Sequence, residues 1–436
     1  MVKICFIGAG STIFAKSVIG DCILTPEIGD FEVALFDIDP VRLEDSRRML
    51  EHINKKYNGK ATIKAFLNRR EALASSDFIV NAIQVGGYKP ATVTDFEIPK
   101  KYNLRHTVND TLNVGGIFRA LRTIPLLDSI AEDIHAVAPN ALFLNYTNPM
   151  AMLMGYTLRY LDLNAVGLCH SVQSCAPWVL KCTGLEHLIP TFRWKIAGIN
   201  HQAWLYDIRD EKGNDIYPEV RRRAKEMKHT QKIHDDGVRF DIMEKFGYYN
   251  TESSEHTAEY HPYYIKSNYP ELISRFKIPL DLYVQRCEEQ IAGWAAMREK
   301  LTGEGVEHQP TEEFASYIIK AAVTDQPFRL HGNVLNTGLI TNLPNGACVE
   351  VPCMADRNGI NPCYVGDLPE QCAALNRTNI NVQNMAILAA KERKREYVYM
   401  AASLDPHTAS ELSLDDIRLM VDDMFEAHGN LIPKYK

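Results

Sequence analysis

Two segments of the sequence carry residue types that can bind a metal ion, and each follows a short apolar run. Cys169 follows the run at residues 165–168, and His201 follows the run at residues 196–199. If both runs are the ends of buried strands, a thiolate and an imidazole form half of a metal site. These donors usually favour zinc. The sequence offers no further Cys or His at the spacing that a four-ligand structural zinc site would need. Any metal here would keep open positions for substrate, as in catalytic sites. The spacing alone also fits two unrelated buried side chains.

The first residues of the chain predict a nucleotide-binding unit. Strand-like residues 3–7 lead into Gly8-Ala9-Gly10-Ser11-Thr12, and helix-compatible residues 15–24 follow. Glycines let the backbone approach a pyrophosphate, which the helix N-terminus stabilises. Asp37 ends a second apolar run, where its carboxylate can accept hydrogen bonds from a ribose diol. Ile13 stands in place of the third glycine of the usual fingerprint, so the glycines also fit a merely tight turn.

Further strands and helices must hold these residues in place. Strand patterns at residues 77–83 and 141–144 alternate with helical patterns around residues 40–57 and 117–137. This alternation predicts a parallel sheet that binds ligands beyond the carboxyl ends of its strands. The loop at residues 110–116, with two adjacent glycines, fits a flap or polyol contact and fits an ordinary helix entry equally well.

The second half of the chain is more helical, and its boundary with the first half is soft. We expect a Rossmann-like doubly wound parallel sheet in residues 1–200, which bind the dinucleotide. A mixed α+β domain in residues 201–436 would contribute to the active site and to oligomer contacts. The segments that we assign to this domain are helices at residues 218–245, 280–301, 311–322, 370–399 and 413–427, with antiparallel strands between residues 334 and 351.

Composition narrows the class of partner. The 436 residues include 48 basic and 55 acidic side chains, giving a net charge of -7 with no basic run. This charge argues against nucleic acid as a ligand. No segment resembles a signal peptide or approaches the roughly 20 apolar residues of a membrane span. We therefore expect a cytoplasmic enzyme that acts on a small molecule, with most of its ten cysteines as buried thiols.

Several motifs are spread over nearly the whole chain. They are Phe6-Ile7-Gly8-Ala9-Gly10-Ser11, Asn145-Tyr146-Thr147-Asn148-Pro149-Met150, Cys169-His170-Ser171-Val172, Gly198-Ile199-Asn200-His201 and Glu252-Ser253-Ser254-Glu255-His256. Together these motifs resemble glycoside hydrolase family 4. Within that family, the form at residues 169–172 resembles the melibiase-type α-galactosidases. The region 401–429, with Asp405-Pro406-His407-Thr408-Ala409, is also similar to that subgroup.

The resemblance implies an architecture like that of lactate and malate dehydrogenases, and an unusual hydrolysis that uses NAD+. In the implied cycle, C3 of the sugar is oxidised and a base removes the proton on C2. The bond from C1 to the leaving oxygen then breaks by elimination, water adds, and C3 is reduced again. A divalent cation, usually Mn2+ in the family, would chelate the sugar oxygens at C2 and C3.

The resemblance also implies roles for individual residues. Cys169 and His201 match the metal ligands, and Asn148 matches a substrate-binding position. His170 is either the proton donor to the leaving oxygen or a structural histidine beside the metal. Tyr260 and Glu255 both qualify as the base at C2, with His256 as a further substrate contact. The residues at the cofactor-binding positions are Gly8, Gly10, Ser11, Thr12 and Asp37.

The expected substrate is an unphosphorylated α-galactoside such as melibiose, because no Arg or Lys cluster accompanies the site motifs. An α-glucoside or an α-galacturonide remains open. Relatives imply a homodimer or homotetramer. Two rival classes are an NAD-dependent 2-hydroxy-acid dehydrogenase, which would release reduced cofactor stoichiometrically, and a non-catalytic dinucleotide sensor, which would not need Cys169 and His201.

Overall fold

The computed structural model describes all 436 residues. Twelve strands form one mixed sheet. The strands are β1 (Val2–Ile7), β2 (Phe31–Phe36), β3 (Ala61–Phe66), β4 (Phe78–Asn81), β5 (Leu142–Asn145), β6 (Ala165–Gly167), β7 (Arg193–Ile199), β8 (Gln202–Arg209), β9 (Tyr249–Asn250), β10 (Phe328–Leu335), β11 (Cys348–Asp356) and β12 (Gly359–Pro362).

Helices cover the sheet and form most of the second half of the chain. They are α1 (Thr12–Ile23), α2 (Pro40–Lys56), α3 (Arg69–Leu73), α4 (Val93–Lys101), α5 (Asn113–Val137), α6 (Met150–Tyr160), α7 (Ser171–Cys182), α8 (Tyr217–Glu226), α9 (Gln231–Asp235), α10 (Gly237–Phe246), α11 (Ser254–Glu259), α12 (Glu271–Arg275), α13 (Leu282–Thr302), α14 (Ala315–Thr324), α15 (Glu370–Glu392), α16 (Arg395–Leu404), α17 (Pro406–Glu411) and α18 (Leu414–His428).

The first six strands are parallel and lie in the order β3-β2-β1-β4-β5-β6, which is the order of a Rossmann sheet. The order reverses between β1 and β4, and ligands of such sheets bind at this crevice. The sheet continues through β10 and β11, which are antiparallel, to β7, β8 and β9. The predicted fold class is therefore confirmed.

Two apolar cores lie on opposite faces of the sheet, as the alternation of side chains along β1 requires. Ile4 and Phe6 pack into the core formed with α1, α2 and α14. Cys5 and Ile7 pack into the core formed with α5, α15, α16 and α18. Burial on both faces explains why residues 4–7 of β1 are all apolar.

Several predicted elements match the structure in position, and others differ. The strand predicted at residues 77–83 contains β4, and the strand predicted at residues 141–144 overlaps β5, which extends one residue further to Asn145. The single helix predicted at residues 370–399 is wrong, because Arg393 adopts a left-handed φ of 53° that separates α15 from α16. The pattern also misses β3, an edge strand without a fully buried residue. The division at residue 200 stays a prediction.

None of the helices combines the length and apolar character that crossing a membrane demands.

Candidate active site

A cavity of about 1030 Å³ opens at the carboxyl ends of the parallel strands. Its lining begins at the glycine turn after β1 and extends to the turn between β7 and β8. Most of the predicted site residues therefore meet in one space. The predicted residues that line this cavity are Gly8, Gly10, Ser11, Thr12, Asp37, Asn148, Cys169, His170, His201 and His256.

The glycine turn is shaped by close backbone approaches. Gly8 has a φ of +89°, and a Cβ atom there would lie 2.3 Å from the carbonyl oxygen of Ala82. Any side chain at Gly8 would therefore be both strained and obstructed. The N–H of Gly10 donates to Oδ2 of Asp37 at 2.6 Å, which holds this carboxylate against the turn. The predicted ribose acceptor thus stands beside the predicted pyrophosphate turn.

Helix α1 presents its N-terminus to the same cavity. It begins at Thr12, has no acidic residue in its first turn, and receives no side-chain cap from Ser11. Free backbone N–H groups and the positive end of the helix dipole suit an anionic group such as a pyrophosphate. Ile13 is 38% exposed and lines the cavity. This end of the cavity fits a dinucleotide.

Three ionisable side chains cluster at the other end of the cavity. His201, Glu252 and His256 place one potential metal-ligand atom each within 4.8 Å of one another. His201 occupies the two-residue connection from β7 to β8, Glu252 precedes α11, and His256 lies on α11. Oε1 of Glu252 lies 3.8 Å from Nε2 of His201 and 3.7 Å from Nδ1 of His256. Two imidazoles and a carboxylate form a donor set suited to divalent transition metals.

The protonation states within this cluster differ, and only His201 is an uncharged imidazole near neutral pH. Burial, together with the nearby His256, lowers the pKa of His201 to about 4, so its imidazole is neutral and able to coordinate. Burial opposes ionisation of Glu252, but His256 and His201 hold the pKa of its carboxyl below the usual value. Burial lowers the pKa of His256, but Glu252 and Asp110 outweigh this effect and raise it to about 9. Nδ1 of His201 is buried without a hydrogen-bond partner.

Two members of the cluster have a backbone conformation that is rare outside glycine. His201 has a φ of 63° and Glu252 has a φ of 73°. Left-handed backbone at a bulky residue is unfavourable and persists where the surrounding structure holds it in place, often at functional sites. The positions of these two side chains are thus imposed by the fold.

Cys169 lies in the cavity but outside this three-residue cluster. Its Sγ donates to Oγ of Ser171 at 3.3 Å. Burial, with the negative charges of Glu350 and Glu252, raises the pKa of this thiol. A cation bound here would offset that repulsion and deprotonate the thiol on coordination. The structure therefore brings Cys169 and His201 into one cavity, as the sequence predicts.

His170 and Glu313 form a pair at the cavity wall. Nδ1 of His170 lies 3.3 Å from Oε1 of Glu313, whose side chain is 11% exposed. This interaction, more than any other, raises the pKa of His170 despite partial burial. A histidine whose pKa is raised above its ordinary value and that lies beside open space can act as a general acid.

The two candidates for the base occupy different places. Tyr260 is 2% exposed and does not line the cavity, but its ring centroid lies 6.4 Å from that of His201. Its Oη donates to the carbonyl oxygen of Asn200 at 3.5 Å. Burial raises its pKa well above the ordinary value. Glu255 does not line the cavity either, and Glu252 stands there instead.

The sequence motifs single out neither Glu252 nor Asp110 as a site residue. Asp110 lines the cavity, with Oδ1 3.8 Å from Nε2 of His256 and Oδ2 3.7 Å from a guanidinium nitrogen of Arg119. Burial opposes its ionisation, but His256 and Arg119 hold the pKa of Asp110 well below its usual value. The double glycine after Asp110 was the sequence feature that drew attention to this loop. Because α5 begins at Asn113, this loop is a helix entry and also a cavity wall.

Glu259 ties the loop of Asp110 to the helix of His256. Oε1 of Glu259 accepts hydrogen bonds from the backbone N–H groups of Thr107, Val108 and Asn109, at 2.5, 2.9 and 3.1 Å. Burial raises the pKa of Glu259 to about 7, although the charge of His256 and these donors oppose the rise. This carboxylate fixes the position of Asp110 relative to His256.

The fold and cavity define a dinucleotide-type sheet with a polar catalytic site at its carboxyl edge. Residues 3–185 match the family described as "Family 4 glycosyl hydrolase", and residues 196–408 match "Family 4 glycosyl hydrolase C-terminal domain". The chain therefore belongs to family 4 of the glycosyl hydrolases, as the sequence motifs predict, and it is an enzyme of that class.

Individual relatives agree with this assignment. An α-galactosidase of Bacillus subtilis (strain 168) is 57% identical over 437 residues, covering 100% of both chains. The crystal structure of a 6-phospho-alpha-glucosidase from gut microorganisms, in complex with NAD and Mn2+, has a TM-score of 0.83 at 21% identity, with 100% of both chains covered. Malate dehydrogenase from Plasmodium falciparum has a TM-score of 0.55 at 15% identity, covering 91% of this chain and 100% of that chain. Both structural likenesses concern the fold, and they confirm the malate dehydrogenase-like architecture.

Replacing Glu259 with Ala is expected to loosen the loop that carries Asp110. Three buried N–H groups would lose their acceptor, which lowers the free energy of unfolding by about 3 kcal/mol. Hydrogen exchange measured by mass spectrometry should accelerate in peptides covering residues 106–112. Glu255→Ala, on the same helix, is the matched control and should leave this exchange unchanged. Equal protection of the loop in both variants would contradict the positioning role of Glu259.

Proposed function

We propose that this enzyme is an NAD+- and Mn2+-dependent α-galactosidase. The observation that carries the proposal is the shared cavity, which joins a dinucleotide-type turn at Gly8–Thr12 to the His201, Glu252 and His256 cluster. An ordinary hydrolase that uses two carboxylates does not need a dinucleotide site. The 57% identity to the α-galactosidase of B. subtilis supports the substrate class.

The bound groups supply the chemistry that side chains lack: NAD+ accepts and returns a hydride, and the cation polarises sugar oxygens. The residues that would hold NAD+ are Gly8, Gly10, Ser11, Thr12 and Asp37. Cys169 and His201 would hold the cation, with Glu252 and His256 next to them. The acidic surroundings of His201 favour this, since a divalent ion neutralises buried carboxylates that otherwise repel one another.

The remaining roles belong to side chains that bind the sugar or move protons. Asn148 and Asp110 line the cavity and can bind sugar hydroxyl groups. His170, held by Glu313, would give a proton to the departing oxygen at C1. Neither Tyr260 nor Glu255 lines the cavity, and Tyr260 is the better candidate for the base at C2 because its ring centroid lies 6.4 Å from that of His201. The cation would have to lower the pKa of the Tyr260 phenol for it to act.

An unphosphorylated galactoside is the proposed substrate because of the 57% identity to the α-galactosidase of B. subtilis. Four arginines line the cavity. Arg119 lies beside Asp110 and Arg69 beside Asp133, whereas Arg42 and Arg286 have no carboxylate partner. This site supports a small-molecule substrate. We also propose, from the family resemblance, that the enzyme forms a homodimer or homotetramer. On the same basis, residues 1–200 would bind the dinucleotide and residues 201–436 would contribute to the active site and to oligomer contacts.

Cofactor dependence tests the proposal directly. Protein stripped of nucleotide and metal should hydrolyse nitrophenyl α-galactoside, with release of nitrophenol, only after NAD+, Mn2+ and a thiol reductant are all added back. Absorbance at 340 nm should show no net NADH, because the hydride returns to the sugar. The α-glucoside is the matched substrate control. Equal hydrolysis by stripped protein would refute the proposal, and stoichiometric NADH with a 2-hydroxy acid would favour a dehydrogenase.

Substitutions of the proposed metal-site residues distinguish cation binding from nucleotide binding. Cys169→Ser and His201→Ala should each weaken Mn2+ binding by at least about tenfold, measured by electron paramagnetic resonance, and abolish hydrolysis. Their NAD+ affinity in fluorescence titration should stay within twofold of the wild-type value.

Cys363→Ser is the matched control for loss of a thiol, since Cys363 does not line the cavity. Unchanged Mn2+ affinity in Cys169→Ser, with loss in Glu252→Gln, would assign the cation to the His201, Glu252 and His256 cluster without Cys169. Unchanged affinity in His201→Ala would exclude both donor sets.

A further inference from the structure

Helix α13 (Leu282–Thr302) differs from the other long helices because none of its 21 residues is buried. Six of its residues nevertheless line the active-site cavity. They recur every three or four positions, so they form one stripe along the helix. The residues of this stripe are Tyr283, Arg286, Cys287, Gln290, Ile291 and Trp294.

The stripe runs from the sugar end of the cavity to its nucleotide end. From Tyr283 to Trp294 the helix rises roughly 16 Å, at about 1.5 Å per residue. The N–H of Tyr283 donates to the carbonyl oxygen of Thr107 at 3.1 Å, next to the loop of Asp110. At the other end, the guanidinium of Arg42 lies 6.0 Å from the ring centroid of Trp294. Arg42 is in the first turn of α2, shortly after Asp37.

Polar contacts hold the helix in this position. Nε and a terminal nitrogen of Arg298 donate to the buried carboxylate of Asp45 at 2.6 and 2.9 Å. Oη of Tyr88 donates to Oε1 of Glu288 at 2.8 Å. The helix therefore lies over the cavity, and only Leu301 in its last turn packs against an apolar core.

Exposed apolar side chains gather at the nucleotide end. Ile38 is 88% exposed and Ile291 is 57% exposed, and both line the cavity together with Trp294. Contiguous exposed apolar surface with a cationic neighbour suits a flat aromatic ligand. Asp37 marks the position for a ribose, and in a dinucleotide the adenine lies next to that ribose.

We propose that α13 is the outer wall of the dinucleotide cleft and that Trp294, with Arg42, binds the adenine ring. The proposal rests on the proposed function, because it assumes that NAD+ occupies the glycine turn. A helix from the C-terminal half of the chain would then contact the adenosine half of NAD+, which takes no part in hydride transfer. Stacking of a base on an aromatic ring would supply affinity at this position.

Binding measurements with pieces of the cofactor test this contact. Isothermal titration calorimetry should show that Trp294→Ala binds NAD+ and ADP-ribose about tenfold more weakly than the wild type. Binding of nicotinamide mononucleotide, which lacks adenosine, should not change. Trp294→Phe keeps an aromatic ring and should retain most of the affinity. Glu289→Ala, an exposed position of the same helix, is the matched control.

Each outcome separates this contact from the proposed function. If the wild type binds NAD+ and Trp294→Ala binds it within twofold, the adenine contact is refuted while the proposed function stands. An equal loss for nicotinamide mononucleotide would also refute it, since the effect would not depend on adenosine. If the wild type binds neither NAD+ nor ADP-ribose, both proposals fail.

Discussion

Buried negative charge around two histidines is the constraint on which the active site depends. Asp110 and Glu252 are both partly buried in the same cavity wall, and each lies within 3.8 Å of an imidazole nitrogen of His256 or His201. Glu350 lies deeper, and burial raises its pKa to about 8 although Asn333 donates to it. Such a group of carboxylates is stable only with compensating positive charge, from protons, Arg119 or a bound cation. The proposed Mn2+ site places that compensation where the sugar must bind.

The sheet explains why metal chemistry and nucleotide binding meet in one place. Gly8, Asp37, Asn148 and Cys169 all follow parallel strands. Because these strands run in the same direction, the residues that follow them lie at one edge of the sheet. β10 and β11 then extend the sheet to β7, whose end carries His201 to the same cavity. The glycine turn and the His201, Glu252 and His256 cluster thereby line one cavity.

Local sequence was sufficient to predict the site residues that follow strands. The apolar runs before Gly8, Asp37 and Cys169 are long enough to be recognised, and strand ends of a parallel sheet must converge. Glu252 could not be distinguished from Glu255 in this way, because the choice depends on a left-handed backbone at Glu252 and on the orientation of a short helix. The position of Asp110 depends on a long-range hydrogen bond that the N–H of the neighbouring Asn109 donates to Glu259. The position of α13 over the cavity depends on the pairing of Arg298 with Asp45, which are far apart in sequence.

The hydrogen atom at C2 of the sugar gives the most direct test of an internal oxidation and reduction. Hydrolysis of an α-galactoside in D2O, stopped early, should give galactose with deuterium at C2, seen by mass spectrometry and by loss of the C2 proton signal in NMR. Elimination requires that the C2 proton leaves and is replaced from solvent. Galactose incubated with enzyme alone controls for exchange after release. Released galactose that keeps hydrogen at C2 would contradict the oxidative mechanism and favour direct displacement at C1.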